Sequence, residues 1–114
     1  MLNQQVPKII NENSSGDTVE LLFDISADLP CFAGHFPDEP IVPGVVQIGW
    51  AIEFAARLGL SPQDFSSVPR AKFSATIHPG TELHLKLVRH ADTVDFSYSS
   101  TDTLHSNGRM RFGR

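Results

Sequence analysis

His35 is an ionisable side chain inside a stiff loop that leads straight into an apolar run. The loop reads HFPDEPIVPG, and its prolines, Pro37, Pro40 and Pro43, each fix a φ angle beside the imidazole. Gly44 follows where a helix would begin, and the first backbone N–H groups of a helix have no partner inside it. Imidazole titrates near neutral pH, and fixed amides stabilise charge on a carbonyl oxygen. The pattern predicts proton abstraction next to a carbonyl group; the alternative is a loop histidine with ordinary hydrogen bonds.

The apolar run predicts a helix over residues 45–58 that ends at Gly59, since glycine commonly follows the last residue of a helix. Six apolar positions form one broad face of it: Val45, Ile48, Ala51, Ile52, Ala55 and Ala56. The other side, with Val46 and Trp50, is also largely apolar. Such a helix is typical of one that is covered by a sheet or by a partner subunit.

Alternating apolar residues predict strands on both sides of this helix. Before it, Val19, Leu21, Phe23 and Ile25 alternate with mostly polar residues, and a polar stretch over residues 11–16 separates this strand from a short N-terminal segment. After it, four alternating runs predict a meander of strands; they lie within residues 71–77, 83–87, 94–98 and 104–112. This order predicts an α+β fold, an antiparallel sheet curled around one long central helix in a single domain of residues 1–114.

The composition is that of an ordinary globular chain of 114 residues with a net charge of −4. That balance argues against a nucleic-acid groove or an anionic membrane surface as the partner, because both require concentrated Lys and Arg. A single cysteine, Cys31, excludes an internal disulfide, and the absence of a C-x-x-C partner argues against a structural zinc site. The first residues lack the apolar region of a secretory signal, and no run approaches the ~20 apolar residues of a membrane span. We therefore expect a cytoplasmic protein.

The stretch HFPDEPIVPGVV, residues 35–46, resembles the H-F-P-x-x-P-x-x-P-G-V signature of the (3R)-hydroxyacyl-acyl carrier protein dehydratases, which are hotdog-fold enzymes. The stretch PGVVQI, residues 43–48, followed by WA at residues 50–51, is more similar still to the thioester dehydratase branch that includes the aryl-polyene dehydratases. The later stretches AKF, HPG and GRMRF are similar to the later strands of the family. The resemblance covers nearly the whole chain.

The resemblance implies dehydration of (3R)-hydroxyacyl-acyl carrier protein thioesters to trans-2-enoyl thioesters, in fatty-acid or polyene-type lipid synthesis and without a cofactor. His35 would remove the α-proton while the Gly44 amide polarises the thioester carbonyl. The residues that would contact the substrate are Phe36, Pro37, Val45, Gly49 and Trp50. The partners that it implies are an acyl carrier protein and a second copy of the chain, since the family assembles its sites across the interface of a homodimer or higher homo-oligomer.

One position departs from the family pattern. The carboxylate that the family carries fourteen residues after the histidine falls here on Gly49. Glu53 lies one helical turn further along the same face and is the candidate replacement acid; alternatively it forms an ion pair with Arg57. Three functions follow: a hydroxyacyl thioester dehydratase, a non-catalytic or weakly catalytic acyl-binding subunit that partners an active paralogue, or, as the lesser alternative, a hotdog acyl thioesterase.

Two further groups of side chains could carry chemistry. Arg70, Lys72, Arg109 and Arg111 take outward positions on strands; they are either solvated or, on neighbouring strands, a basic patch for an acidic carrier protein or a phosphopantetheine phosphate. Cys31 precedes His35 by four residues, which suits either a thiolate nucleophile or a buried structural thiol. The other histidines have no zinc-ligand spacing and are predicted to lie at the surface: His78, His84, His90 and His105.

Overall fold

The computed structural model describes residues 6–32 and 40–113. Within them, six strands surround one α-helix, and three 3-10 turns join them. The strands are β1 Lys8–Ser15, β2 Thr18–Asp24, β3 Phe65–Phe73, β4 Glu82–His90, β5 Thr93–Ser100 and β6 Thr103–Phe112. The helix α1 is Gly44–Phe54, and the turns are Pro30–Phe32, Ala55–Leu58 and Pro62–Asp64.

All six strands belong to one antiparallel sheet in the order β1-β2-β4-β5-β6-β3. Alternate residues of the central strands point to one side, where they are buried; Leu21 pairs with Leu85, Leu85 with Tyr98, and Tyr98 with Ser106. The buried side chains of α1, among them Trp50 and Phe54, complete the same core. This confirms the predicted hotdog fold.

The helix begins and ends close to the predicted residues. It continues as a 3-10 turn to Leu58, and Gly59 follows in the left-handed conformation with φ +86°, which glycine adopts without strain. The predicted inward face was partly wrong. The buried positions of α1 are Gln47, Trp50, Ala51 and Phe54, whereas Val45 is 75% exposed. Both sides of the helix are apolar, so hydropathy could not show which side faces the core. Gln47 can be buried because its polar atoms form hydrogen bonds inside the protein.

The two edge strands differ from the prediction. β1 occupies the polar stretch that was predicted to be a spacer; its side chains are mostly exposed, so its sequence has no apolar alternation. β3 begins at Phe65 and ends at Phe73, and it pairs with β6 rather than with β4. The predicted meander therefore holds for β4, β5 and β6 only. Ile77, predicted as the end of that strand, is buried in the loop that follows it.

Candidate active site

The start of α1 presents two backbone amides that the helix itself leaves free. Pro43 caps the helix with φ −61° and ψ 151°, and it has no side chain that could bond to the first turn. Its carbonyl accepts the N–H groups of Val46 at 3.0 Å and of Gln47 at 3.1 Å. Within the part of the chain that the structure describes, the N–H groups of Gly44 and Val45 have no acceptor. Two adjacent donors at a helix N-terminus suit a carbonyl oxygen that gains negative charge.

A pocket of about 250 Å³ lies beside these amides. Its walls are Ile41, Val42, Gly44, Gln47, Phe73, Ser74, Ala75 and Thr76. The ring of Phe73 lies directly against Gly44: a Cβ atom at Gly44 would be 2.9 Å from Cζ of Phe73. The glycine thus lets an aromatic side chain approach the start of the helix, and Phe73, which is 47% exposed, forms one wall of the pocket.

Gln47 is a buried polar residue beside this pocket, with 4% of its surface exposed. Its Nε2 donates to the carbonyl oxygen of Val42 at 3.0 Å, and its Oε1 accepts from Oγ of Ser106 at 2.6 Å. Its main-chain carbonyl accepts from the hydroxyl of Tyr98 at 2.6 Å. Burial raises the pKa of Tyr98 well above its usual range, so this phenol stays a donor. Sequence analysis missed Gln47, although a glutamine three residues before Trp50 in an apolar run is a usable signal.

The side of α1 away from the sheet carries Gly49, the position at which the resemblance predicts a carboxylate. Gly49 is half-buried there and Glu53 is exposed. Glu53 lies nine residues from Gly44, which at ~1.5 Å per residue is about 13 Å along the helix, and it does not line the pocket. Gly49 and Glu53 therefore share a face, as predicted, but that face does not adjoin the pocket of the same chain.

The predicted alternative for Glu53, an ion pair with Arg57, does not form. Arg57 instead binds Glu12 of β1, with Nη2 to Oε1 at 3.2 Å and a second, shorter bond from Nε to Oε2, and it stacks over the ring of Phe54 at 5.0 Å. Hydrogen bonding to Arg57 lowers the pKa of the Glu12 carboxyl. Among the described residues, Glu53 has no ion-pair partner.

The remaining predicted site residues are spread over the chain. Val45 lies exposed in the first turn of α1, and Trp50 is buried in the core with 1% exposure. His35, Phe36 and Pro37 lie outside the described residues. Cys31 is half-buried against the core, and desolvation raises the pKa of its thiol, which favours the structural thiol over the thiolate nucleophile.

The four predicted basic residues do lie on neighbouring strands. Arg70 of β3 is opposite Arg109 of β6, and Lys72 and Arg111 flank this pair on the outer face of the sheet. Asp95 of β5 neutralises part of the patch: it accepts from Nε of Arg109 at 2.7 Å and from Nη2 at 3.2 Å, and these bonds lower its pKa.

A shallow groove of about 290 Å³ crosses the outer face at this patch. Arg70, Lys86, Asp95 and Asn107 are among the residues that line it. The groove thus brings two cationic side chains of different strands to one place on the surface, with one carboxylate between them.

One of the predicted surface histidines is buried. His105 is 6% exposed; its Nε2 lies 2.8 Å from Oγ of Ser100 and its Nδ1 lies 3.4 Å from the carbonyl oxygen of Ala75. His84 pairs with Glu20 at 3.0 Å across β4 and β2. Over residues 6–32 and 40–113, no group of three or more His, Cys, Asp or Glu side chains could hold a metal ion.

Comparison with known proteins bears on what this arrangement does. The sequence profile of the ApeI-like family, whose description is ApeI dehydratase, matches residues 11–109. The chain belongs to the ApeI-like dehydratase family.

One solved structure and one curated relative carry dehydratase names, and a second solved structure shares the fold. The ApeI-like chain is 31% identical to a chain of the dehydratase heterocomplex ApeI:P from Xenorhabdus doucetiae, with a TM-score of 0.88 over 96% of this chain and 100% of that one. It is 32% identical to an uncharacterized protein from Erwinia carotovora subsp. atroseptica, with a TM-score of 0.76 over 94% and 95% of the two chains. It is 29% identical to the 3-hydroxyacyl-[acyl-carrier-protein] dehydratase FabZ of Histophilus somni over 68% of this chain. It spans 57% of that relative's length.

No helix in the described part of this ApeI-like chain has the length and hydropathy needed to cross a membrane.

Proposed function

We propose that this ApeI-like chain removes water from 3-hydroxyacyl thioesters carried by an acyl carrier protein, and so makes enoyl thioesters. The observation that carries the proposal is the pocket at the start of α1, where the Gly44 and Val45 amides have no acceptor among the described residues and the Phe73 ring forms one wall. The names of the FabZ relatives, which act on carrier-bound 3-hydroxyacyl groups, support the same substrate class.

The chemistry divides into a deprotonation and a loss of water. The thioester carbonyl accepts the Gly44 N–H, and the imidazole of His35 takes the proton from the α-carbon. The electron pair of that C–H bond moves onto the carbonyl oxygen as an enolate, which the helix amides stabilise. When the enolate electron pair returns from the oxygen, the α,β double bond forms and the β C–O bond breaks. The hydroxyl takes a proton from an acid and leaves as water. No cofactor takes part in these steps.

Glu53 is our candidate for that acid. Its carboxyl is exposed, and Arg57 is bound by Glu12 and does not neutralise it. Because Glu53 is about 13 Å along the helix from Gly44 and faces away from the sheet, it would serve the pocket of a second subunit rather than its own. A homodimer in which the outward faces of two helices meet supplies that arrangement, and the exposed Val45 on this face favours it.

A second candidate function is an acyl-binding subunit that partners an active paralogue. Two observations favour it: Gly49 offers no carboxylate, and the structural neighbour of 31% identity belongs to a dehydratase heterocomplex. In that case this chain contributes His35 and its helix amides, and the paralogue contributes the acid. Hydrolysis to a free acid, the reaction of a hotdog thioesterase, is the lesser alternative.

The carrier protein would dock at the basic residues of the outer face. Arg70 and Lys72 are exposed on β3, and Phe73, the next residue of that strand, reaches the pocket. An acidic carrier on Arg70, Lys72, Arg109 and Arg111 would thus lie at the strand that leads to the helix start.

One incubation separates these functions. The purified chain is mixed with a 3-hydroxyacyl carrier-protein thioester, and the carrier is analysed by mass spectrometry. We expect the mass of the enoyl thioester, lower by one water. An unchanged mass with retained carrier binding supports the subunit function, and release of the free acid supports the thioesterase.

A further inference from the structure

We infer that Gln47 is a positioning residue: it holds the chain segment that presents the Gly44 and Val45 amides, and does not itself bind substrate. The inference rests on the proposed function for its kinetic consequence, but its structural part can be tested without turnover.

The carboxamide of Gln47 reaches backward past the start of its own helix. Nε2 donates to the carbonyl oxygen of Val42, which lies two residues before Gly44. The N–H of Val42 in turn donates to the carbonyl oxygen of Ile77 at 2.9 Å. Val42 is therefore held from both sides, by the helix through its carbonyl and by the loop after β3 through its amide.

Pro43 transmits this restraint to the amides. It links Val42 to Gly44, its ring fixes its φ, and its carbonyl accepts the N–H groups of Val46 and Gln47. A shift of the Val42 carbonyl must therefore move the peptide planes that carry the Gly44 and Val45 N–H groups. Displacements of these donors weaken the stabilisation of an enolate, because such donors act only at hydrogen-bond distance.

The other end of the carboxamide is tied to the sheet. Oε1 accepts from Oγ of Ser106 on β6, and Ser106 is fully buried. This bond also orients the carboxamide, since the Val42 carbonyl can only accept and must face Nε2. Both ends of the side chain are occupied inside the protein, and no buried side-chain N or O atom of the described residues lacks a partner. Gln47 lines the pocket, but both polar atoms of its side chain bind groups of the protein itself.

The chain offers a matched pair of variants. Ser106 and Tyr98 each donate one hydroxyl hydrogen bond of 2.6 Å to Gln47, and both are fully buried. The bond from Ser106 goes to the side chain, which holds Val42; the bond from Tyr98 goes to the main-chain carbonyl, one turn into the helix. Ser106→Ala should therefore disturb the amides, whereas Tyr98→Phe should cost stability alone. Gln47→Met keeps the length of the side chain and removes both of its polar contacts.

The structural arm uses glycine labelled with nitrogen-15, because eight glycines give a simple amide spectrum. The Gly44 signal is assigned from the Gly44→Ala variant. We expect it to move, and its hydrogen exchange to change, in Gln47→Met and in Ser106→Ala, and to keep its position in Tyr98→Phe. Thermal melting of every variant shows which of them remain folded.

The kinetic arm measures dehydration of a 3-hydroxyacyl carrier thioester. Gln47→Met should lower kcat by roughly 10- to 100-fold, a part of the loss caused by removing such a donor, with KM changed by less than about threefold. Tyr98→Phe should keep the kcat of the wild type at a temperature well below its melting point.

Equal effects of Ser106→Ala and Tyr98→Phe on the Gly44 signal and on kcat would overturn the inference and leave Gln47 a purely structural residue. If the wild type makes no enoyl product, the proposed function fails, while the glycine spectra still decide whether Gln47 positions the amides. A Gly44 signal unmoved in folded Gln47→Met contradicts the inference in either case.

Discussion

The two sides of α1 differ in how completely this chain builds them. The inward side is closed: Gln47, Trp50, Ala51 and Phe54 are buried, and the polar atoms of Gln47 are satisfied by Val42 and Ser106. The outward side is open, with Val45 75% exposed and Glu53 without an ion-pair partner among the described residues. By our inference the inward side fixes the amides at the helix start, and the outward side carries Gly49, where the family resemblance places a carboxylate.

The contrast separates two requirements of the proposed reaction. Stabilising an enolate needs fixed donors, and a single chain can supply them from its own backbone. Protonating a leaving hydroxyl needs an acid at the right place, and here the side chain at the family position is absent. We therefore expect deprotonation to depend on this chain alone and loss of water to depend on what lies against its outward face.

The largest effect is expected from removing the base. His35→Ala should abolish dehydration, because nothing else in the HFPDEPIVPG loop can accept a proton at neutral pH with comparable ease; Asp38 and Glu39 are weaker bases. Turnover and thermal melting are measured on the same preparation, and the melting curve should match that of the wild type. Activity near the wild-type level in the variant would remove His35 from the mechanism.

Restoring the acid is expected to give the next largest effect. Gly49→Asp returns a carboxylate to the outward face and should raise dehydration of a short hydroxyacyl thioester by up to roughly 10²-fold. The measurement is initial rate against substrate concentration. Glu53→Gln is the control: if it removes a high wild-type activity, Glu53 is the working acid, and Gly49→Asp should then add little.

The sequence predicted the backbone part of this site, the amides at the helix start, better than the side chains around it. Gly44 at the helix start follows from a local pattern, since proline spacing and the onset of the apolar run lie within a few residues of it. The role of Gln47 depends on Ser106, which is 59 residues away in the chain. Local spacing cannot show such a partner, so the sequence could draw attention to a glutamine in an apolar run but could not show what it binds.

The same distinction explains the wrong predictions. The i, i+4 spacing predicted an ion pair between Arg57 and Glu53, but Arg57 forms its ion pair with Glu12 on β1, 45 residues away in the chain. β1 was missed because it is an edge strand whose side chains are mostly exposed, so burial imposes no apolar alternation on its sequence. The central strands and the helix were found because they are the elements whose burial imposes a period on the sequence.

A smaller effect is expected from charging the outward face. If this face of α1 packs on a second subunit, Val45→Glu places a carboxylate in that interface and should weaken association by about 10-fold or more. Sedimentation velocity over a concentration series measures it, with Lys86→Glu on the outer face of the sheet as the control. A wild type that sediments as a monomer at low micromolar concentration would contradict the assumed interface.

The smallest effect concerns the outer face of the sheet. Arg109 lowers the pKa of Asp95, so this pair stabilises the fold above the pKa of an unfolded aspartate, about 4, and the contribution is lost as the pH falls through the lower folded pKa. Both side chains are more than 30% exposed, at 33% and 39%, so solvent screening keeps the contribution of the pair small. Asp95→Asn should lower the melting temperature slightly at pH 7, with the difference shrinking towards pH 3. A difference that does not shrink between pH 5 and pH 3 would contradict the assignment.

The central claim is that this chain builds the deprotonating half of the site by itself, and exchange of the α-proton tests it most directly. The purified protein is incubated in D2O with a 3-hydroxyacyl carrier thioester, and mass spectrometry follows deuterium at the α-carbon together with the enoyl product. We predict that deuterium enters the substrate much faster with the wild type than with His35→Ala, and faster than enoyl product forms. Deuterium uptake equal to that of His35→Ala would contradict the claim.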